Sequence, residues 1–307
     1  GVLYALPMVG SFVGGDITAG ILVSGMHRAE EISLLLDIGT NGEVVLGNRD
    51  CLAACSASAG PAFEGGSVSC GMRATGGAID SVRIFQPGRG ISATTIDGRP
   101  AVGLCGTGLI DALSEMFLTG ILDRNGRFQV ESAPSRFVDA QEDGRPAFAL
   151  VRAGEAGAER DVAINESDVE NLIRTKGSIY AAADSLVQSL GLSFDEVQKV
   201  YIAGGFGNRL DIDSCIAIGL LPELPPERIE FIGNSSVAGA KAVMLSQELF
   251  GEVHRIRDMI SYQELMVDPE YMERFTSACF LPHTDLSRFP QVVEKLESRL
   301  AKSRESN

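Results

Sequence analysis

Leu34-Leu35-Leu36-Asp37-Ile38-Gly39-Thr40-Asn41-Gly42-Glu43-Val44-Val45-Leu46 is the stretch on which the reading of this chain turns. The run of leucines predicts a buried strand that ends in Asp37-Ile38, and Val44-Val45-Leu46 leaves as a second apolar strand. Asn-Gly between apolar runs is a strong hairpin signal, so a tight turn at Asn41-Gly42 is expected. A carboxylate at the end of a buried strand, beside bare amides and a Thr hydroxyl, suits Mg²⁺ and phosphate oxygens. Asp37 is therefore the candidate metal-facing carboxylate, acting through water. The amides of Gly39, Thr40 and Asn41 and the Thr40 hydroxyl are candidate phosphate donors, with Gly42 closing the loop. A purely turn-forming Asp is the competing reading.

Far downstream, Val200-Tyr201-Ile202-Ala203-Gly204-Gly205-Phe206-Gly207-Asn208 repeats the theme of an apolar strand running into glycine. Backbone without side chains lets a planar base and ribose approach closely, so Gly204, Gly205, Phe206 and Gly207 are candidate nucleoside-binding residues. Gly233 and Asn234, after the strand Ile229–Ile232, are candidates to extend the same wall. An ordinary Gly-Gly turn would leave the same trace.

Outward from these turns, residues 16–26 read as a short helix with Asp16 at its start and Ala19-Gly20 in its middle, a pattern that marks close backbone approach. Strands are expected at Ala78–Phe85 and near Ala101–Leu104, followed by Gly106-Thr107-Gly108 and a helix Leu109–Leu118. Residues 123–162 read as a β-rich insertion. Ser167-x-x-Glu170 predicts a capping box opening a long amphipathic helix to about Leu190. A second small-residue helix spans Val237–Leu245 around Ala238-Gly239-Ala240, and a charged helix, Gln291–Ser303, closes the chain.

With 307 residues and 45% hydrophobic content, the chain can bury a substantial core. Its net charge of −15 argues against nucleic-acid and anionic-membrane partners. No run reaches the roughly 18 apolar residues of a membrane span, and no leader pattern is present, so a cytoplasmic location is expected. Cys51, Cys55, Cys70, Cys105, Cys215 and Cys279 contain no Cys-x-x-Cys pair, which predicts reduced structural thiols and no iron–sulfur cluster in this chain. The first residues look like the interior of a larger protein.

The order of small-residue helix, strand–Asp–Gly–Thr hairpin, long helix, strand–Gly-Gly turn and second small-residue helix resembles the acetate and sugar kinase, heat-shock chaperone and actin superfamily of ATPases. The resemblance implies an α/β, actin-like (ribonuclease H-like) fold, with mixed sheets flanked by helices, truncated before the first phosphate loop. It implies two related domains closing on ATP, with Ala19, Gly20, Gly239 and Ala240 where the two small-residue helices cross. Residues 1–270 would be the C-terminal portion of the ATPase domain, and 271–307 a helical tail. Asp37–Glu43 would be the second phosphate loop and Gly204–Gly207 the adenosine motif. Asp16 would orient the attacking water, or simply favour the helix dipole. Lys176 would be offered to the nucleoside, or be a solvated lysine on a polar helix face.

Whole phrases narrow the resemblance. Asp37-Ile38-Gly39-Thr40-Asn41-Gly42-Glu43, Ala59-Gly60-Pro61-Ala62-Phe63-Glu64-Gly65, Cys105-Gly106-Thr107-Gly108-Leu109-Ile110-Asp111 and Ala203-Gly204-Gly205-Phe206-Gly207-Asn208 look like the reductive activators of corrinoid proteins. That family implies an ATPase with ATP/ADP and Mg as cofactors. Its hydrolysis is coupled to reducing cobalt(II) to cobalt(I) in the corrinoid protein of a methyltransferase system, the expected partner. The family's iron–sulfur cluster would lie in an N-terminal domain absent from this sequence. Weak or undetectable hydrolysis is expected of this chain by itself, and a homodimer is possible. Two other readings stand beside it: a non-catalytic docking module of the same fold, and a small-molecule kinase of the same superfamily. Gly106–Gly108 before a helix could bind an anion or, like Ser56–Gly66, shape a partner surface; Cys105 is a redox-facing or a packing thiol.

Overall fold

The computed structural model describes residues 3–86, 90–139, 146–205 and 210–305. In chain order, α1 (Gly15–Ser24) precedes β1 (Ser33–Ile38), β2 (Gly42–Gly47) and β3 (Leu52–Ala57). β4 (Ala78–Gln86) and β5 (Gly90–Thr95) form a second hairpin, and β6 (Gly103–Leu104) feeds α2 (Gly106–Leu118). β7 (Phe137–Asp139), β8 (Pro146–Val151) and β9 (Val162–Asn165) lead into the long α3 (Glu166–Ser189). Then come β10 (Lys199–Gly204), α4 (Ile212–Ala217), β11 (Ile229–Gly233) and α5 (Ser235–Leu245). α6 (Gln247–Met259), β12 (Ile260–Tyr262), α7 (Tyr271–Ala278) and α8 (Pro290–Glu305) follow.

The chain divides into two units, the first made of Gly1–Ser58, Ser178–Asn208 and Leu224–Phe275. Its sheet has the order β11-β10-β1-β2-β3-β12, with β1 parallel to β10, β10 parallel to β11, and β1-β2-β3 antiparallel. Leu34, Leu35 and Leu36 are all buried, which requires cover on both faces of β1. On one face Leu35, Val45 and Tyr201 pack with Ile17 and Ile21 of α1 and Ile256 of α6. On the other, Gly42 lies against Ile179 and the Cys55 thiol reaches the Ala182 carbonyl, both in the part of α3 that belongs to this unit.

α1 and α5 cross at the expected small residues. A Cβ on Gly239 would fall 2.6 Å from the Ala19 Cβ, and one on Gly20 would fall 3.2 Å from Ser235 Oγ. α1 ends at Ser24, before the expected Met26, because Gly25 adopts a left-handed φ of 73° and caps it.

The hairpin departs from expectation. Ile38 pairs with Gly42, so the loop is the three residues Gly39–Asn41, and neither Asn41 nor Gly42 has a positive φ. Gly42 is needed for a different reason: a Cβ there would meet Ile179 Cγ1 at 2.7 Å.

The second unit comprises Ala59–Gly177, Arg209–Glu223 and Thr276–Asn307. It holds the sheets β5-β4-β6 and β7-β8-β9, the second being the expected β-rich insertion in its described part. α3 is capped two residues earlier than the Ser167/Glu170 box predicts. Asn165 Oδ1 accepts the Asp168 amide at 2.9 Å and Asp168 Oδ2 accepts the Asn165 amide at 3.1 Å, while Glu170 is drawn off to Arg174.

Every residue of α2 is buried, polar ones included. A Cβ on Gly108 would stand 2.2 Å from the Ile79 carbonyl oxygen, so the glycine admits β4 against the helix. The Cys105 thiol is buried and reaches the same carbonyl at 3.4 Å. Asp111 accepts the Val82 amide and Glu115 the Ile84 amide, at 3.2 and 3.0 Å. Cys105–Asp111 is therefore a packing clasp on β4, not an anion-binding helix start. Among the described residues no helix is long and apolar enough to cross a membrane.

Candidate functional site

Because β1, β10 and β11 are parallel neighbours, all three end at one edge of the sheet. Register pairs Ile38 with Gly204 and Ala203 with Gly233, which brings the ends of both glycine motifs and Gly233 side by side within the first unit. Ligands of open α/β sheets sit outside the carboxyl ends of their strands.

Asp37 is the penultimate residue of β1 and is half-buried. Directly across the ladder stands Glu43 of β2, and across from Glu43 stands Ser56 of β3. Burial, reinforced by the charge of Asp16, pushes the Asp37 carboxyl up to about 6. Burial also pushes Glu43 up to about 7, helped by Asp16 and Asp37, against a 3.2 Å hydrogen bond donated by Ser56 Oγ. Asp16 lies in the first turn of α1, where its Oδ1 accepts the Ile17 amide at 3.0 Å. Among the described residues no lysine, arginine or histidine pairs with these three carboxylates.

Glu43 is absent from the candidates drawn from sequence, and the misread turn explains why. A two-residue Asn41-Gly42 loop would set Glu43 opposite Thr40; the true three-residue loop sets it opposite Asp37. Counting from Ile38–Gly42 as the last pair would have found it.

The loop itself is only partly available to a ligand. Gly39, expected to donate to phosphate, donates instead to the Asn41 carbonyl at 3.0 Å. Thr40 and Asn41 are exposed at the tip, whereas Gly42 is buried in β2. Gly204 has a φ of 126°, and a Cβ on it would lie 2.6 Å from the Ile38 carbonyl oxygen, so the strand ends abut through bare backbone. Gly205 is exposed with nothing within 4 Å of a Cβ position. Phe206 and Gly207 lie outside the described residues. Gly233, with a φ of 64°, faces open space, and Asn234 caps α5 by accepting the Val237 amide at 3.0 Å.

Lys176 matches neither sequence reading. It belongs to the second unit, is fully buried, and donates to the carbonyls of Phe280 and Pro282 at 2.5 and 2.7 Å. It therefore offers no surface to a nucleoside and is not solvated. The helix periodicity that placed it on a polar face could not register the segment packed over it.

Among the described residues no group of three or more His, Cys, Asp or Glu could hold a metal ion directly. A hydrated Mg²⁺, held through water by Asp37, fits this donor set of spaced, uncompensated carboxylates better than a fully protein-ligated ion.

Comparison with known proteins adds to this geometry. The family described as the C-terminal domain of RACo, the ASKHA domain, matches residues 31–293. A corrinoid activation enzyme, RamQ, from Eubacterium limosum is 34% identical over 281 residues, covering 90% of this chain and 46% of the relative. A Co(II) methylated amine-specific corrinoid protein reductase from Methanosarcina barkeri is 26% identical, covering 85% of this chain and 48% of the relative. A solved reductive activator for corrinoid, iron-sulfur protein superposes with a TM-score of 0.90 at 44% identity, over 94% of this chain and 46% of that one. The chain thus spans about half the length of the curated relatives it matches.

Proposed function

This chain belongs to the family of C-terminal ASKHA domains of the reductive activators of corrinoid proteins, and on that premise we propose that its first unit contributes to binding Mg²⁺-ATP and ADP. In a protein as long as its relatives, nucleotide turnover at this site supports the reduction of cobalt(II) to cobalt(I) in a corrinoid protein of a methyltransferase system. The observation that carries the reading is the meeting of Asp37, Gly204 and Gly233 at one sheet edge, beside carboxylates that pair with no cation among the described residues.

Asp37 would hold Mg²⁺ through water, and the ion would supply charge neutralisation to the phosphates. Glu43, directly across the ladder, adds a second carboxyl to that end of the hairpin and would release its proton as positive charge arrives. The amides of Thr40 and Asn41, at the exposed tip of the loop, would meet phosphate oxygens. Gly204 and Gly205 leave bare backbone for the nucleoside. Asp16, at the head of α1, positions the attacking water.

The test is the ATP-dependent rise of the cobalt(I) absorption in a corrinoid protein, using the protein at the length of its relatives with a low-potential reductant. Asp37→Ala is expected to remove that ATP dependence, and Asp16→Asn to slow turnover with nucleotide affinity nearly unchanged. Unaltered ATP-dependent reduction in Asp37→Ala would refute the assignment.

A further inference from the structure

The amine of Lys176 has no exposed surface and two hydrogen-bond acceptors, both backbone carbonyls. An ammonium carries three N–H donors and an uncharged amine carries two. Among the described residues no carboxylate pairs with Lys176; the titratable group facing it is the thiol of Cys279. Two donors matched to two carbonyls leave no N–H unpaired, whereas a third N–H and a full charge would be buried without compensation.

The segment that Lys176 holds is itself tightly fitted. Leu281 donates its amide to the Arg124 carbonyl at 2.9 Å, and the Arg124 guanidinium donates to the His283 and Thr284 carbonyls at 2.6 and 3.1 Å. A Cβ on Gly219 would fall 2.0 Å from the Pro282 carbonyl oxygen, and one on Gly177 would fall 3.0 Å from Cys279 Sγ. Lys176 and Arg124 thus share four carbonyls of one short stretch, Phe280–Thr284, just ahead of α8.

We propose that Lys176 is an uncharged amine in the folded protein and serves as a proton-operated latch, closed when neutral and loosened on protonation, over the Phe280–Pro282 turn. Burial acts in the same direction, pulling the lysine down to about 7, with Cys279 opposing. Cys279 is itself pushed up by burial, against Lys176 and Arg174, and so stays a neutral thiol beside the amine. The remaining charged or titratable groups of the segment are the Arg124 guanidinium and the buried His283, whose Nδ1 accepts the Asp285 amide at 3.0 Å. On acidification the new ammonium needs a third acceptor, which water can supply only if the turn opens.

The whole chain labelled with ¹³C at lysine Cε decides the matter. One lysine signal is expected to titrate near pH 7, far from the ordinary lysine range near 10.4, and to vanish in Lys176→Met. Should that variant fail to fold, Lys176→Arg removes the same signal while keeping a cation. Amide exchange of Phe280–Asp285, corrected for intrinsic rate, is expected to rise about tenfold from pH 8 to pH 6 in wild type only. Every lysine titrating in the ordinary range, or an equal exchange step in both proteins, would overturn the latch.

Discussion

Two pairs of carboxylates, Asp111 with Glu115 and Asp37 with Glu43, are drawn out of solvent and treated in opposite ways. In the second unit Glu115 is enclosed by partners: the Ile84 amide at 3.0 Å, Arg299 at 2.9 and 3.3 Å, and Arg83 at 3.9 Å. Its neighbour Asp111 holds the Val82 amide, and Arg83 stands 3.5 Å away. In the first unit Asp37 and Glu43 face one another across a ladder, with one serine hydroxyl and, among the described residues, no paired cation. Carboxylates with partners fasten a helix to a strand; half-buried carboxylates without them are the pattern expected of a site that takes up a cation.

Removing one side of each set should break the comparison in opposite directions. Glu115→Ala strips the buried Ile84 amide of its acceptor while the partly exposed Arg299 turns to water, and should cost the most, about 2–4 kcal/mol in chemical denaturation. Gly239→Val drives a side chain into Ala19, 2.6 Å from the Cβ position, and should cost about 1–3 kcal/mol. Little loss would mean that α1 and α5 slide apart easily.

Asp37→Asn and Glu43→Gln should instead stabilise the chain, by about 1–2 kcal/mol at pH 8. The sign follows from proton counting. Both carboxyls sit higher in the folded state, at about 6 and about 7, than the ordinary values of 3.8 and 4.5. Between those limits the folded chain binds more protons than the unfolded one, so wild-type stability falls as pH rises from about 4 to 7. The variants should show a shallower fall and no advantage at pH 4. Thermal melts across that window check it, and an unchanged slope would mean that the carboxylates are already compensated. The smallest effect, about 1 kcal/mol, is expected of Asn234→Ala, which removes only the cap of α5.

Much of the first unit was legible because its signals are local and strong. Three leucines ahead of Asp37, the Gly204-Gly205 turn and the small residues of α1 and α5 each point to one arrangement, and the structure places them so. What was not legible depends on partners remote in sequence. Gly42 was read as a turn glycine, although Ile179 on α3 is what demands it, and that error concealed Glu43. Cys105–Asp111 looks like an anion loop until β4 is seen lying against Gly108. Lys176 looks solvated until the Phe280–Pro282 carbonyls close over it. The α3 capping box slipped because Asn165 and Asp168 outcompete Ser167 and Glu170, and both pairs satisfy the same spacing.

The most direct measurement is calorimetric titration of Mg²⁺-ATP and Mg²⁺-ADP into the protein, as this chain and at the length of its relatives, each with and without Asp37→Ala. The account predicts saturable binding in the longer form that Asp37→Ala weakens at least about tenfold, a loss of about 1.4 kcal/mol. Binding that is absent from both forms, or indifferent to Asp37, would contradict a nucleotide site at the end of β1.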